Sequence, residues 1–299
     1  MSNIQNGPFI VTGASGQLGR QVVENLLDAG VSPIIAITRS PDKLADLTAK
    51  GVDVRKGDFN DTGSLAAAFA GGKRLLIISI DDLEPGKRLI AHTNAVAAAK
   101  EAGIAHIVYT SISKPDENNP INFTADHRGT EALIEASGAT YTILRNNLYA
   151  DILLMGGGQS IAMGKHFAAA DDGRTGYVSR ADCSRAAAAA LIQETASRVL
   201  DITGPAALSQ SDIAAIYSEI SGKEIPYIPI STQDLSKALV GAGLDQFMAD
   251  VFASFDTAIS EGFLDVATDD LEKLTGSAGQ PARDFLIENK AALLTSPQN

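Results

Sequence analysis

The chain has no tryptophan, one cysteine and four histidines among 299 residues. A lone Cys183 can close no internal disulfide and supplies too few thiols for a zinc cluster, which points to a reducing compartment. His92, His106, His127 and His166 are so widely spaced that no two share a helical turn, so no metal site is expected. Long apolar runs are missing as well. The longest, residues 75–80 and 186–192, fall far short of the ~20 residues a bilayer requires. The start, Met1 to Gly7, is polar and lacks the charged-then-apolar order of a signal peptide. Basic residues are outnumbered, 24 Lys and Arg against 36 Asp and Glu, for a formal net charge of -12. Such a surface repels phosphate backbones and anionic lipid, which excludes nucleic acid and membrane surfaces as the main partners. The expectation is a cytoplasmic globular protein, monomer or homodimer, with a small-molecule partner.

What is present is a core-forming composition, 45% apolar, arranged in two alternating rhythms. Short β-rich runs fall at residues 8–12, 34–38, 52–55, 75–80, 107–110 and 141–144. Between them lie stretches with helical spacing at 18–27, 43–49, 64–69, 89–102 and 130–136. Strands alternating with helices imply parallel pairing through right-handed crossovers. The strands are almost continuously apolar, as when both faces of a sheet are covered. The fold class read from this is α/β, a Rossmann-type doubly wound parallel sheet over residues 1–150. Residues 151–299 are expected to form a smaller, mainly helical C-terminal lobe on the substrate side, with a segment near 199–203 returning to the sheet. Within that lobe, helices are predicted at 181–193, 211–221, 232–240 and 244–255. Met155-Gly156-Gly157-Gly158 and Asp171-Asp172-Gly173-Arg174 read as loops.

The sharpest local signal is Thr12-Gly13-Ala14-Ser15-Gly16-Gln17-Leu18-Gly19, directly after the first β run and opening the first helix. Gly13 permits a sharp turn, Gly16 lets the backbone approach a pyrophosphate, and Gly19 lets helix and strand pack closely. The free N–H groups at the helix start then face the phosphates. The spacing is G-x-x-G-x-x-G rather than the dinucleotide G-x-G-x-x-G, so the context carries the reading. Dinucleotide choice is decided at the end of the second strand. An NAD-selective site puts Asp or Glu there, whereas this chain has Arg39 with Ser40 beside it and Lys43 a turn later. A guanidinium pairs with a 2′-phosphate, so NADP(H) is the expected cofactor. Asp58, next to Phe59, is a candidate acceptor for the adenine amino group. Ser79-Ile80-Asp81, read as the end of the fourth strand, should run along the pyrophosphate and inner ribose.

Two chemistries are missing. No Tyr-x-x-x-Lys pair occurs: Tyr109 is followed four residues on by Ser113, and Tyr141 by Arg145. Proton transfer by the tyrosine route, as in alcohol oxidation or sugar-nucleotide epimerisation, is therefore disfavoured. No G-x-S-x-G elbow is present for a hydrolase. Residues 158–165 imitate a phosphate loop, but the spacing is one too long and His166 stands where Ser or Thr would bind magnesium, so the segment reads as a flexible loop.

Thr12 to Gly19, Thr38-Arg39-Ser40-Pro41, His127-x-x-Thr130-Glu131 and Tyr141-Thr-Ile-Leu-Arg-Asn146 together resemble the NmrA-like atypical short-chain dehydrogenases/reductases. Within that group the chain is most similar to bacterial NADPH-dependent quinone oxidoreductases and triphenylmethane reductases. Ser179-Arg180-Ala181-Asp182 and Leu200-Asp-Ile-Thr-Gly-Pro205 agree with the same pattern. The resemblance implies cofactor contacts at Gly13, Ala14, Ser15, Gly16, Gln17, Leu18, Arg39, Asp58, Phe59, Ser79, Ile80 and Asp81, and at Arg145, Asn146, Asn147, Leu148 and Tyr149. The position of Leu148 is usually aromatic in the quinone reductases, so a stacking surface is lost here.

The activity this implies is hydride transfer to a quinone-like or other conjugated acceptor, with Asn146 orienting it. Such a transfer needs no strong positioned acid, so proximity and orientation carry most of the acceleration. Tyr149 is either a proton donor or a packed tyrosine. His127, sharing a helical face with Thr130 and Glu131, is either a proton-relaying histidine or one hydrogen-bonded to Glu131. The alternative function is a non-catalytic NADP(H)-sensing regulator of the same family.

Overall fold

The computed structural model describes residues 7–193 and 196–295; the polar start, residues 1–6, lies outside them. In chain order the elements begin with β1 (Phe9–Val11), α1 (Gln17–Asp28), β2 (Ile34–Thr38), a 3-10 turn (Pro41–Leu44) running into α2 (Ala45–Ala49), and β3 (Asp53–Lys56). They continue through α3 (Thr62–Phe69), β4 (Arg74–Ile77), α4 (Lys87–Glu101), β5 (His106–Ile112), α5 (Thr124–Glu135) and β6 (Thr140–Asn146). Next come α6 (Ile152–Met163), β7 (His166–Ala168), β8 (Arg174–Thr175), α7 (Arg180–Ile192), β9 (Arg198–Ile202) and β10 (Leu208–Ser209). The last are α8 (Gln210–Ser221), β11 (Tyr227–Pro229), α9 (Thr232–Gly241), α10 (Gln246–Ser260), α11 (Asp270–Thr275), α12 (Ala282–Glu288) and α13 (Lys290–Leu294).

Seven strands form one sheet in the order β3-β2-β1-β4-β5-β6-β9. β1 pairs in parallel with both β2 and β4, β2 with β3, and β4 with β5. The winding reverses between β1 and β4. A doubly wound sheet opens its ligand crevice at that switch point, beyond the carboxyl ends of the strands. Phe9, Ile10 and Val11 are fully buried, because helices cover both faces of the strand they form. β9, expected from residues 199–203, lies beside β6 at one edge.

The described residues divide into two compact units, one from 7–115, 125–145, 181–193 and 196–200, the other from 116–124, 146–180 and 201–295. In the first, α1 buries Leu18, Gly19, Val22, Val23 and Leu26, the recurrence that puts one helical stripe against the sheet. Ile10, Ile35, Ile37, Leu65, Leu75, Ile77 and Ile107 make the centre of its core. Each such side chain contributes about 1.5–3 kcal/mol by leaving water. In the second unit α9 packs on α10, and α6 packs against α8 and α13. Ser209 and Asp212 close a capping box at the start of α8.

Two sequence expectations fail. Met155-Gly156-Gly157-Gly158 is not a loop, and residues 158–165 are not flexible connection: α6 runs through them to Met163. A Cβ on Gly157 would stand 2.6 Å from Leu293 Cδ2 and 2.8 Å from the Tyr217 ring, so glycine there admits close packing that favours the helix. A Cβ on Gly156 would meet nothing within 4 Å. Gly156→Ala is therefore expected to stabilise the chain by about 0.5–1 kcal/mol and Gly157→Ala to destabilise it, read as opposite shifts of the urea midpoint. The fourth strand, expected over 75–80, stops at Ile77. Beyond it the backbone amides turn to side-chain acceptors rather than to a neighbouring strand.

Candidate active site

The glycine loop lies at the switch point. Gly13 adopts φ +60, open to glycine and costly for side chains. Its carbonyl accepts from Gly16 N at 2.9 Å, and Ala14 N donates to Ile37 O at 3.0 Å, tying the loop to β2. A Cβ on Gly19 would lie 2.3 Å from Gly13 O and 2.9 Å from Ala14 Cα, so the helix approaches the loop as only glycine allows. Gly16 is the N-cap of α1, and no side chain caps the helix start. The first-turn N–H groups of such a helix have no intrahelical acceptors and carry its positive dipole end. Gly13, Ser15, Gly16 and Gln17 are exposed, while Ala14 and Leu18 are buried beneath them. These exposed first-turn amides fit a diphosphate.

At the end of β2, Thr38 donates its hydroxyl proton to Ser15 Oγ at 2.8 Å and accepts from Ser40 N at 3.1 Å. Loop and strand end are thereby fixed to one another. Arg39, next along, is exposed and makes no ion pair or hydrogen bond with the described residues. Lys43 is exposed in the 3-10 turn that follows. The residues present fit a dinucleotide: uncapped amides for the diphosphate, and an unengaged guanidinium for a further phosphate. Asp58 is half-buried, with Oδ1 accepting from Asn60 N at 2.9 Å as in a turn, and Phe59 is packed into the core.

The chain matches the family model described as NAD(P)H-binding over residues 13–194. It is 36% identical to quinone oxidoreductase 2 of Escherichia coli (strain K12) over 269 residues, 89% of this chain and 93% of that one. The chain belongs to the NmrA-like NAD(P)H-dependent oxidoreductases. The solved structure of the E. coli quinone oxidoreductase with NADPH superposes on this NmrA-like reductase with a TM-score of 0.89 at 33% identity, covering 96% of this chain and all of that one. The Citrobacter triphenylmethane reductase with NADP(H) does so with a TM-score of 0.88 at 35% identity, covering 95% and 100%.

Beyond the carboxyl ends of β4 and β5, this NmrA-like reductase carries a polar network that the sequence reading missed in part. Ile78 N, Ser79 N and Ile80 N donate in turn to Thr12 Oγ1 (3.0 Å), Thr110 Oγ1 (2.9 Å) and His92 Nε2 (3.2 Å). Arg88 Nε donates to Ile80 O at 2.9 Å. His127 does not bond Glu131; its Nδ1 shares a 2.8 Å hydrogen bond with the hydroxyl of Tyr109. Glu131 instead takes the Ser111 hydroxyl at 2.6 Å and both Nε and Nη2 of Arg145, at 3.1 and 2.7 Å. His127 and Glu131, one turn apart on α5, thus serve separate tasks, because β5 and β6 offer different partners to each. Burial pushes His127 well below its ordinary value and Tyr109 well above its own. Both stay neutral around pH 7.

Arg145, which the resemblance assigns to the cofactor, has its fork committed to Glu131, itself nearly buried. In the second unit, Asn146 Nδ2 donates to the Tyr149 hydroxyl at 3.3 Å, and its buried Oδ1 has no partner. Asn147 is fully used: Nδ2 donates to Leu264 O and Oδ1 accepts from Leu148 N, so its side chain holds backbone together. Leu148 is buried. Tyr149 is half-buried with the Arg180 guanidinium 5.1 Å from its ring centre. Cys183 is buried on α7. Among the described residues no cluster of three metal-ligating side chains occurs, and no helix is long and apolar enough to cross a membrane. Tyr109, Arg88 and His92 were missed as site residues; the four-residue spacing of Arg88 and His92, one helical face, was the available signal.

Proposed function

We propose that this protein is an NADPH-dependent reductase that passes hydride to a quinone-like or cationic conjugated acceptor, held in place rather than protonated. The observation that carries this reading is the neutrality of His92, Tyr109 and His127, which meet around the ends of β4 and β5. His92 is pulled down to about 3 by burial and by the neighbouring Arg88, and Tyr109 and His127 are held neutral by burial. None is a ready acid at pH 7, which suits an acceptor whose charge is delocalised or cancelled on reduction. Relatives and structural neighbours named as quinone, azo and triphenylmethane reductases support the same acceptor class.

NADPH, when bound, supplies the hydride. The glycine-loop amides hold its diphosphate and Arg39 its 2′-phosphate. Asn146, with an unfilled buried acceptor at Oδ1, orients an amide or hydroxyl donor. A quinone takes hydride and then one proton from water; a triarylmethane cation takes hydride alone and needs no proton. Positioning supplies the acceleration.

The test is loss of NADPH absorbance with the intact chain and a panel of quinones, azo dyes and triarylmethane dyes. Turnover with at least one class is expected, faster with NADPH than NADH. Tight NADPH binding without turnover of any acceptor would replace the reductase reading with a sensor.

A further inference from the structure

The segment after β4 is held from outside the glycine loop. Three consecutive amides, of Ile78, Ser79 and Ile80, each meet a different side chain, from the end of β1, from β5 and from α4. The α4 contribution is double, since Arg88 also takes the Ile80 carbonyl. Both peptide units flanking Ile80 are therefore fixed by one helix face.

The chemistry of His92 is determined by its partners. A backbone N–H only donates, so Nε2 is the acceptor and the ring proton sits on Nδ1. Nδ1 lies 3.0 Å from Thr130 Oγ1, whose own proton goes to Asp126 O at 2.7 Å, leaving the oxygen free to accept. The chain of bonds runs in one direction, from Ile80 through His92 and Thr130 to the backbone of α5. His92 and Arg88 are almost completely buried, at 0% and 3% exposed.

The peptide between Ser79 and Ile80 is trans, so its carbonyl points opposite to the N–H that meets His92. By the same rule the Asp81 N–H points opposite to the Ile80 carbonyl that meets Arg88. An acceptor and a donor, two residues apart, are thus turned away from α4. That pair complements a sugar hydroxyl, which both donates and accepts, and does not suit a phosphate, which only accepts.

We propose that His92 and Arg88 are positioning residues that hold Ile80 so that the Ser79 carbonyl and Asp81 N–H receive a ribose hydroxyl of the dinucleotide. The inference rests on the NAD(P)H-binding reading. Its contribution goes to cofactor binding, which is the same before and during hydride transfer, so it acts on KM and not on kcat.

The test compares wild type, His92→Leu and His92→Gln as intact chains, by calorimetric NADPH affinity and by kinetics with an accepted acceptor. His92→Leu leaves the Ile80 N–H without an acceptor; about a tenfold rise in Kd and KM for NADPH is expected, with kcat within about twofold. His92→Gln offers an oxygen near the position of Nε2 and is expected to recover most of that loss. A folded His92→Leu that binds NADPH as wild type does, or a His92→Gln no better than it, overturns the proposal. Should His92→Leu fail to fold, amide exchange on wild type decides: residues 78–80 are expected to be protected before NADPH is added. Exchange that slows there only on binding overturns the proposal as well. Wild type that binds neither dinucleotide would instead sink the underlying NAD(P)H reading.

Discussion

Gly19→Val is expected to cost at least about 100-fold in affinity for NADPH and NADH alike, measured by calorimetry on the folded variant. The glycine Cβ position is 2.3 Å from Gly13 O and 2.7 Å from Gly13 C, both backbone atoms that cannot rotate away. The helix must retreat or the loop must open, and either moves the amides proposed to hold the diphosphate. Each amide displaced out of reach forfeits a bond to a charged oxygen, about 1.5–3 kcal/mol, so two such losses suffice for an effect of this size. Gly16 is a milder case: a Cβ there meets Gly13 O at 3.2 Å, a contact a few tenths of an ångström can relieve. A bulky residue at Gly16 is expected to weaken both dinucleotides less than Gly19→Val does. Retained full affinity in Gly19→Val, with circular dichroism unchanged, would reduce the loop to a plain strand-to-helix turn.

Arg39→Asp is expected to separate the two dinucleotides. It would remove the charge-assisted bond proposed between Arg39 and the 2′-phosphate and place a carboxylate against that dianion. A bond to a charged group contributes about 1.5–3 kcal/mol, and repulsion adds to its loss. Arg39 is exposed, so solvent screening holds the total near the lower end, roughly 30-fold for NADPH at low salt. The loss should shrink as ionic strength rises, and NADH affinity should change little. The folded protein is not expected to lose stability, since Arg39 has no partner among the described residues to leave behind. Equal NADPH affinity in wild type and variant would remove Arg39 from the site.

The first six strands and the helices between them were readable from periodicity, and the glycine loop from its place after β1. The errors share one cause. Three consecutive glycines in α6 read locally as a loop, whereas the helix is favoured by Leu293 and Tyr217, far along the chain from Gly157. Leu75 to Ile80 read as one apolar run, yet pairing stops at Ile77 because Thr12, Thr110 and His92 offer side-chain acceptors to the next three amides. His127 and Glu131 are one turn apart and look like a pair; Tyr109 and Arg145, from two strands, claim them separately.

Sequence alone determined the alternating α/β order, the glycine turn after the first strand and the basic residue at the second strand end, because each depends on residues within a few positions of one another. Tertiary structure decided which buried polar groups meet. A hydrogen bond between β5 and α5, or between α4 and the loop after β4, requires two segments brought together by packing. Residue types fix what each group can donate or accept, but only the fold fixes which partner lies within 3 Å.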